Sequence, residues 1–151
     1  MIVYTYSVAR MNSVKRKKSA IMRTKDYEAL AAFRYALRKF FRFSEETAAG
    51  TGLTTRQYQA LLTIRGFPGK EEITVGDVAE WLQIRHHSAV GLVNRLVEQG
   101  LVVRRKGKRD KREVYIRITL KGKRILQKLA YINKQELRQL HLQSYLTDLI
   151  S

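Results

Sequence analysis

The stretch from Thr74 to Ile118 constrains the fold more than any other part of the chain, because it contains two short amphipathic helical segments and then a hairpin with almost nothing between them. Thr74-Val75-Gly76-Asp77 spaces a threonine and an aspartate as in a capping box, with Asp shorter than the usual Glu. A helix follows with Val75, Val78, Ala79 and Leu82 inward, and Gln83-Ile84-Arg85 forms a turn. A second helix runs from about His86 to Gln99 and is stopped by Gly100 as its C-cap. Leu101-Val102-Val103-Arg104 and Val114-Tyr115-Ile116-Arg117-Ile118 are rich in β-branched residues and predict two strands, joined by a basic loop with a glycine at 107. Two helices across a three-residue turn make a helix-turn-helix, and a hairpin directly after the second helix makes a wing. The expected fold class is therefore mainly α with a small β-hairpin wing.

The flanking segments are helical or basic. Residues 1–24 carry Arg10, Lys15, Arg16, Lys17, Lys18 and Arg23 with no acid and no periodicity, as expected of a basic flexible N-terminal arm. From Lys25 to about Gly50, Tyr27, Leu30, Phe33, Leu37, Phe40 and Phe41 recur at three- and four-residue intervals, which predicts one long helix. Thr54 and Thr55 are placed to cap another through about Arg65, ended by Gly66-Phe67-Pro68-Gly69, and Ile73 is a candidate for a short strand. Past Thr119, Ile125, Leu126, Leu129, Ile132, Leu137, Leu140, Leu146, Leu149 and Ile150 predict one or two further helices. The expected division is an arm over 1–24, an N-terminal helix over 25–50, a winged region over 53–120 and C-terminal helices over 121–151. So small a winged region cannot bury all the Phe and Leu of the terminal helices, so N- and C-terminal helices forming a dimerisation region are expected, against a monomer whose terminal helices fold back.

Thirty Lys and Arg stand against thirteen Asp and Glu, a net charge of +17, which is more than solubility requires and implies a polyanionic partner. The absence of cysteine removes disulfides, thiol chemistry and Cys-containing zinc sites. His86 and His87 are adjacent and point about 100° apart on a helix, with His141 far along the chain, so no metal site is expected. No nucleophile motif, phosphate-binding glycine loop or paired carboxylate suggests an enzyme or a cofactor. The apolar opening, residues 1–9, is too short to span a bilayer, and a cytoplasmic protein without membrane attachment is expected.

On the helix from His86, a 100° rotation per residue puts Ala89, Leu92, Val93 and Leu96 on the core side and His87, Val90, Gly91, Asn94, Arg95 and Glu98 opposite. That outward stripe is short of long charged side chains and holds a glycine costing about 1 kcal/mol against alanine, as suits a helix that must approach another surface closely. In a major groove, Asn94 suits an adenine edge, His87 or Arg85 a guanine edge or phosphate, Ser88 a phosphate and Val90 a thymine methyl, with His86, Gly91 and Arg95 beside them. The wing sets Arg104, Arg105, Lys106, Lys108, Arg109, Lys111 and Arg112 in nine positions against Asp110 alone. Arginine at a wing tip suits a narrow minor groove, and lysines suit phosphates.

The chain resembles the MarR family of transcription regulators over roughly residues 25–150. The resemblance rests on Val78-Ala79-Glu80-Trp81-Leu82 through Leu92-Val93-Asn94-Arg95-Leu96, then Gln99-Gly100-Leu101-Val102, then Asp110-Lys111-Arg112 followed by Ile116-Arg117-Ile118-Thr119 and Gly122. It implies that Arg112 enters the minor groove, that Asp110 positions it, and that the first and last helices build a homodimer. It also implies a regulator that binds double-stranded DNA, a repressor of transcription released from it by a small phenolic or lipophilic effector. Gln83-Ile84-Arg85 replaces the family's Gly-Leu-Ser, and Gly91 its frequent charged residue, so no operator carries over. A dimer predicts a pseudo-palindromic operator with half-sites about 10 base pairs apart. Tyr27, Phe33, Tyr35, Phe40, Tyr58 and Trp81 are aromatic pocket candidates, but helical spacing favours core. The competing functional class is a low-specificity architectural or nucleoid protein; an RNA- or membrane-surface protein ranks below it.

Overall fold

The structure, a computed structural model, describes residues 21–107, 113–142, 144–145 and 147. Among them are five helices and one small sheet: α1 (Thr24–Ala49), α2 (Thr55–Gly66), β1 (Ile73–Thr74), α3 (Val75–Trp81), α4 (His86–Glu98), β2 (Val102–Lys106), β3 (Val114–Ile118) and α5 (Leu120–Gln139). The described residues divide into two compact units, one holding residues 21–36 and those described from 142 onward, the other those described between 37 and 141. The core described below lies in the second. The basic arm expected over 1–24 falls outside the described residues as far as residue 20, and the Arg23 amide donates to Asp26 Oδ2 at 2.7 Å where α1 begins.

Helix boundaries follow local chemistry. Thr54 and Gln57 form a reciprocal capping box at the start of α2, and Thr74 and Asp77 do the same for α3 despite the shorter acid. Gln57 is also buried, and its Nε2 donates to Gln99 Oε1 at 3.2 Å, linking the entry of α2 to the exit of α4. At that exit Gly100 has φ +69, Leu101 N–H donates to Leu96 O and Gly100 N–H to Val97 O, which is a Schellman ending. Glycine is suited to this position because a Cβ disfavours a left-handed backbone.

The sheet order is β1-β3-β2, all antiparallel, with Ile73 opposite Ile116, Val102 opposite Ile118 and Arg104 opposite Ile116. Ile73 thus supplies a third strand. β2 begins one residue later and ends two residues later than the sequence pattern suggests. The core joins Leu61 and Ile64 of α2, Val78 of α3, Ala89, Val93 and Leu96 of α4, Ile73, Val102 and Ile116 of the sheet and Leu129 of α5, all essentially solvent-free. Burial pushes the Tyr58 phenol above its ordinary pKa, so it stays neutral within this core.

The entry of α5 is stitched to the exit of α4. Thr119 N–H donates to Leu101 O at 3.0 Å, its one hydroxyl hydrogen is shared between Gly100 O at 2.8 Å and Leu101 O at 3.1 Å, and that hydroxyl accepts from Gly122 N–H as the N-cap of α5. Lys121 Nζ donates to Gln99 O at 2.8 Å. Gly122 permits the approach: a Cβ there would lie 2.2 Å from Leu101 O and 2.8 Å from Ile118 Cγ1. The carbonyl belongs to the backbone and cannot swing away. Gly122→Ala is expected to lower stability by about 1–3 kcal/mol or more, as overpacking does, read as the urea midpoint. Gly91→Ala, whose Cβ would meet nothing within 4 Å, is expected to raise stability by up to about 1 kcal/mol through helix propensity.

Candidate nucleic-acid interface

The face of α4 turned from the core is the one expected from periodicity. Ala89, Leu92, Val93 and Leu96 are buried; His87, Asn94, Arg95 and Glu98 are exposed, and Val90 and Gly91 half-buried. Because a side chain at 91 would meet no neighbour, packing within this chain does not explain the glycine. Its consequence is a low stretch of helix surface between Val90 and Asn94. That shape admits a groove or a ligand surface at closer range than long solvated side chains would.

The turn before α4 departs from favourable local geometry at two positions. Gln83 has φ +53, with its N–H donating to Glu80 O and Ile84 N–H to Ala79 O, so a side-chain-bearing residue occupies a left-handed C-terminal position that favours glycine. Arg85 then stands as N-cap of α4 with no side-chain capping bond, whereas Thr54, Thr74 and Thr119 each cap their own helix. The first-turn amides of α4 are therefore uncapped by a side chain and carry the positive end of the helix dipole. Arg85, His86 and His87 are exposed beside them and Ser88 is half-buried.

The wing strands separate their basic residues between two faces. Arg104 Nη2 donates to Asn94 Oδ1, joining β2 to the outward stripe of α4. Arg105 points to the other face of the strand, where its Nε lies 4.0 Å from Glu72 Oε1, and Arg117 Nη2 lies 3.7 Å from Glu71 Oε2. Exposed pairs of this kind contribute about 0–1 kcal/mol, but they hold Arg105 toward Glu72. Lys106 is exposed at the end of β2, and Gly107 N–H donates to Glu113 O at 2.9 Å to close the hairpin. The expected contacts Lys108, Arg109, Lys111 and Arg112, and Asp110 beside them, lie outside the described residues.

The sequence pattern thus anticipates His87, Val90, Gly91, Asn94 and Arg95 on one face, and Arg104 joins them through Asn94. It does not anticipate the neighbouring cleft of about 620 Å³, lined by Glu45, Thr54, Arg56 and Ile84 together with His87, Ser88, Gly91 and Arg95. Arg56 follows the cap Thr54 and the first helical residue Thr55, and only the fold brings it to α4. Of the aromatic candidates, Tyr58 is in the core, Tyr27 and Tyr35 are exposed, and Trp81 packs on Phe67 with ring centroids 4.9 Å apart. Among the described residues no cluster of His, Asp or Glu is assembled to hold a metal, and no helix is long and apolar enough to cross a membrane.

Comparison with known proteins agrees with this geometry. Residues 51–113 match the model of the MarR family. A MarR family protein from Bacillus stearothermophilus superimposes with a TM-score of 0.70 at 22% identity, over 80% of this chain and 82% of that one. A mutant MarR from E. coli complexed with operator DNA gives 0.61 at 23% identity, over 71% and 75% of the two chains. Bordetella bronchiseptica BpsR, whose DNA binding is regulated by 6-hydroxynicotinic acid, gives 0.58 at 20% identity, over 71% and 74%. No curated protein sequence matches the chain.

The uncapped start of α4 has a measurable consequence. Arg85→Ser supplies the hydroxyl that the other caps possess and is expected to raise stability by about 1 kcal/mol in urea unfolding. A loss of stability would show that Arg85 makes a stabilising interaction that the capping pattern does not account for.

Proposed function

We propose, from the match of residues 51–113 to the MarR family model, that the protein is a dimeric, sequence-specific regulator of transcription that acts by binding double-stranded DNA rather than by catalysis. The observation that carries this reading is the outward stripe of α4, where Gly91 leaves the helix low although nothing in the chain's own packing asks for glycine. α4 enters the major groove, with His87, Val90, Asn94 and Arg95 toward base edges and Arg85 and Ser88 toward phosphates at the uncapped helix start. Arg112 at the wing tip takes the minor groove with Asp110 positioning it, and the basic residues around them neutralise phosphates. That the E. coli MarR mutant of similar fold is complexed with operator DNA supports duplex DNA as the partner.

The terminal segments form the dimerisation region. Tyr27, Leu30 and Phe41 along α1 and Tyr131 and Leu137 on α5 are large apolar residues left exposed in the single chain, as expected of surfaces that a second copy covers. Two copies related by a twofold axis set two α4 helices on successive faces of a pseudo-palindrome about 10 base pairs apart. The regulator is a repressor, and an effector in the cleft beside α4 releases it. The cleft supports this because His87, Ser88, Gly91 and Arg95 line it while also facing the groove, so a ligand and DNA would draw on the same residues. The regulation of BpsR by 6-hydroxynicotinic acid is a precedent for small-molecule control on this fold.

A net charge of +17 also favours a second reading, an architectural protein that binds any duplex. Selection from random duplexes separates the two. The proposal predicts a recovered motif bound roughly 10³–10⁷-fold more tightly than random DNA, and a steep salt dependence with no motif would establish the architectural role instead. Gly91→Leu is expected to fold normally and to weaken binding to the selected site by about ten-fold or more, some 1.4 kcal/mol, in a fluorescence anisotropy titration. Light scattering at micromolar concentration is expected to give the mass of two chains.

A further inference from the structure

The contact between Arg104 and Asn94 crosses from the wing to α4 and joins two residues that sequence reasoning treats as separate contacts. Its chemistry fixes an orientation. Arginine has five N–H donors and no acceptor, so the Asn94 atom facing it must be the carbonyl oxygen, and the assignment of Oδ1 and Nδ2 follows from the partner alone. The amide is planar, so holding Oδ1 toward β2 sends Nδ2 along the other arm. Among the described residues Nδ2 has no hydrogen-bond partner, and Asn94 is exposed on the stripe that includes Val90 and Gly91.

The support behind Arg104 is firm. Arg104 shares a face of β2 with Val102, which is 1% exposed in the core, and stands opposite the buried Ile116 in β3. β2 itself starts from the Leu101 carbonyl held by Thr119.

We propose that Arg104 is a positioning residue for base reading, which holds the Asn94 amide so that α4 presents a donor rather than the donor–acceptor pair with which asparagine binds adenine. This rests on the DNA-binding reading above and extends it to specificity. A bidentate pair with adenine needs Oδ1 to accept from the adenine N6 amino group while Nδ2 donates to N7. With Oδ1 engaged by a cation, that amino group would have to share the oxygen and sit beside a guanidinium that offers only donors. Guanine presents N7 and O6, two acceptors, and faces neither conflict. The base opposite Asn94 is therefore an acceptor edge, guanine before thymine O4, and adenine is disfavoured. Excluding water when the helix enters the groove strengthens the Arg104–Asn94 bond relative to its exposed state.

Binding-site selection with the full chain and with Asn94→Ala, Arg104→Lys and Arg104→Ala tests this, with urea unfolding to confirm that each variant folds. The wild type is expected to select guanine at one position per half-site, and Asn94→Ala to lose that preference. Arg104→Ala is expected to change preference at the same position toward adenine by about ten-fold and to leave the other positions alone, while Arg104→Lys, which still donates, keeps much of the original preference. In an Asn94→Ala background, Arg104→Ala is expected to change no preference at that position. If Arg104→Ala weakens all sequences equally with a shallower salt dependence, Arg104 is a phosphate contact and the proposal is overturned while the regulator reading stands. A wild type that selects adenine at the position controlled by Asn94 also overturns it. Recovery of no motif by the wild type overturns both.

Discussion

The approach of Gly122 to the Leu101 carbonyl is the constraint on which the placement of the wing depends. A Cβ at that position would come within 2.2 Å of the carbonyl oxygen, so α5 can start where it does only because residue 122 has no side chain. That start lets Thr119 bind Gly100 and Leu101 through both its amide and its hydroxyl. The two segments so joined are the exit of α4 and the entry of β2. The angle between the helix and the wing is thereby tied by the amide and hydroxyl of Thr119 to the backbone of Gly100 and Leu101. Arg104 reaches Asn94 because that angle is fixed.

Charge and shape have separate roles in this architecture. A net charge of +17 draws the chain to any polyanion and carries no sequence information. The ion pairs at Arg105 and Arg117 divert part of that charge to Glu72 and Glu71, on the strand face away from α4. In the function we propose, specificity rests with a few small or polar groups on α4, and with the orientation that Arg104 imposes on one of them. The turn bearing Gln83 and Arg85 belongs to the same economy: it gives up a glycine and a hydroxyl cap that would steady the helix and leaves the amides and dipole at the start of α4 unanswered by a side chain.

The winged-helix core was legible in sequence where its signals are local. Thr74 and Asp77 mark the start of α3, Gly100 the end of α4, and the spacing of Ala89, Leu92, Val93 and Leu96 its buried face, each within a turn or two of helix. The contacts that join elements were not. Gln57 meets Gln99 across 42 positions and Gly122 meets Leu101 across 21, and neither residue type signals such a partner in advance. Asn94 and Arg104 were each legible as exposed polar residues, yet their bond depends on the angle between α4 and β2, which no periodicity encodes. The terminal helix showed a continuous apolar pattern, but Tyr27 and Leu30 remain exposed on α1 because periodicity reveals that a face wants burial without saying against what.

The central claim is that the low stripe of α4 lies in a major groove. Dimethyl sulfate protection on a bound duplex reports on it directly, since the reagent attacks guanine N7 in that groove. The account predicts protected guanines in two clusters about one helical turn apart, with protection lost in Gly91→Leu at concentrations that saturate the wild type. Full reactivity of every guanine N7 in a saturated complex would place α4 outside the groove and contradict the account.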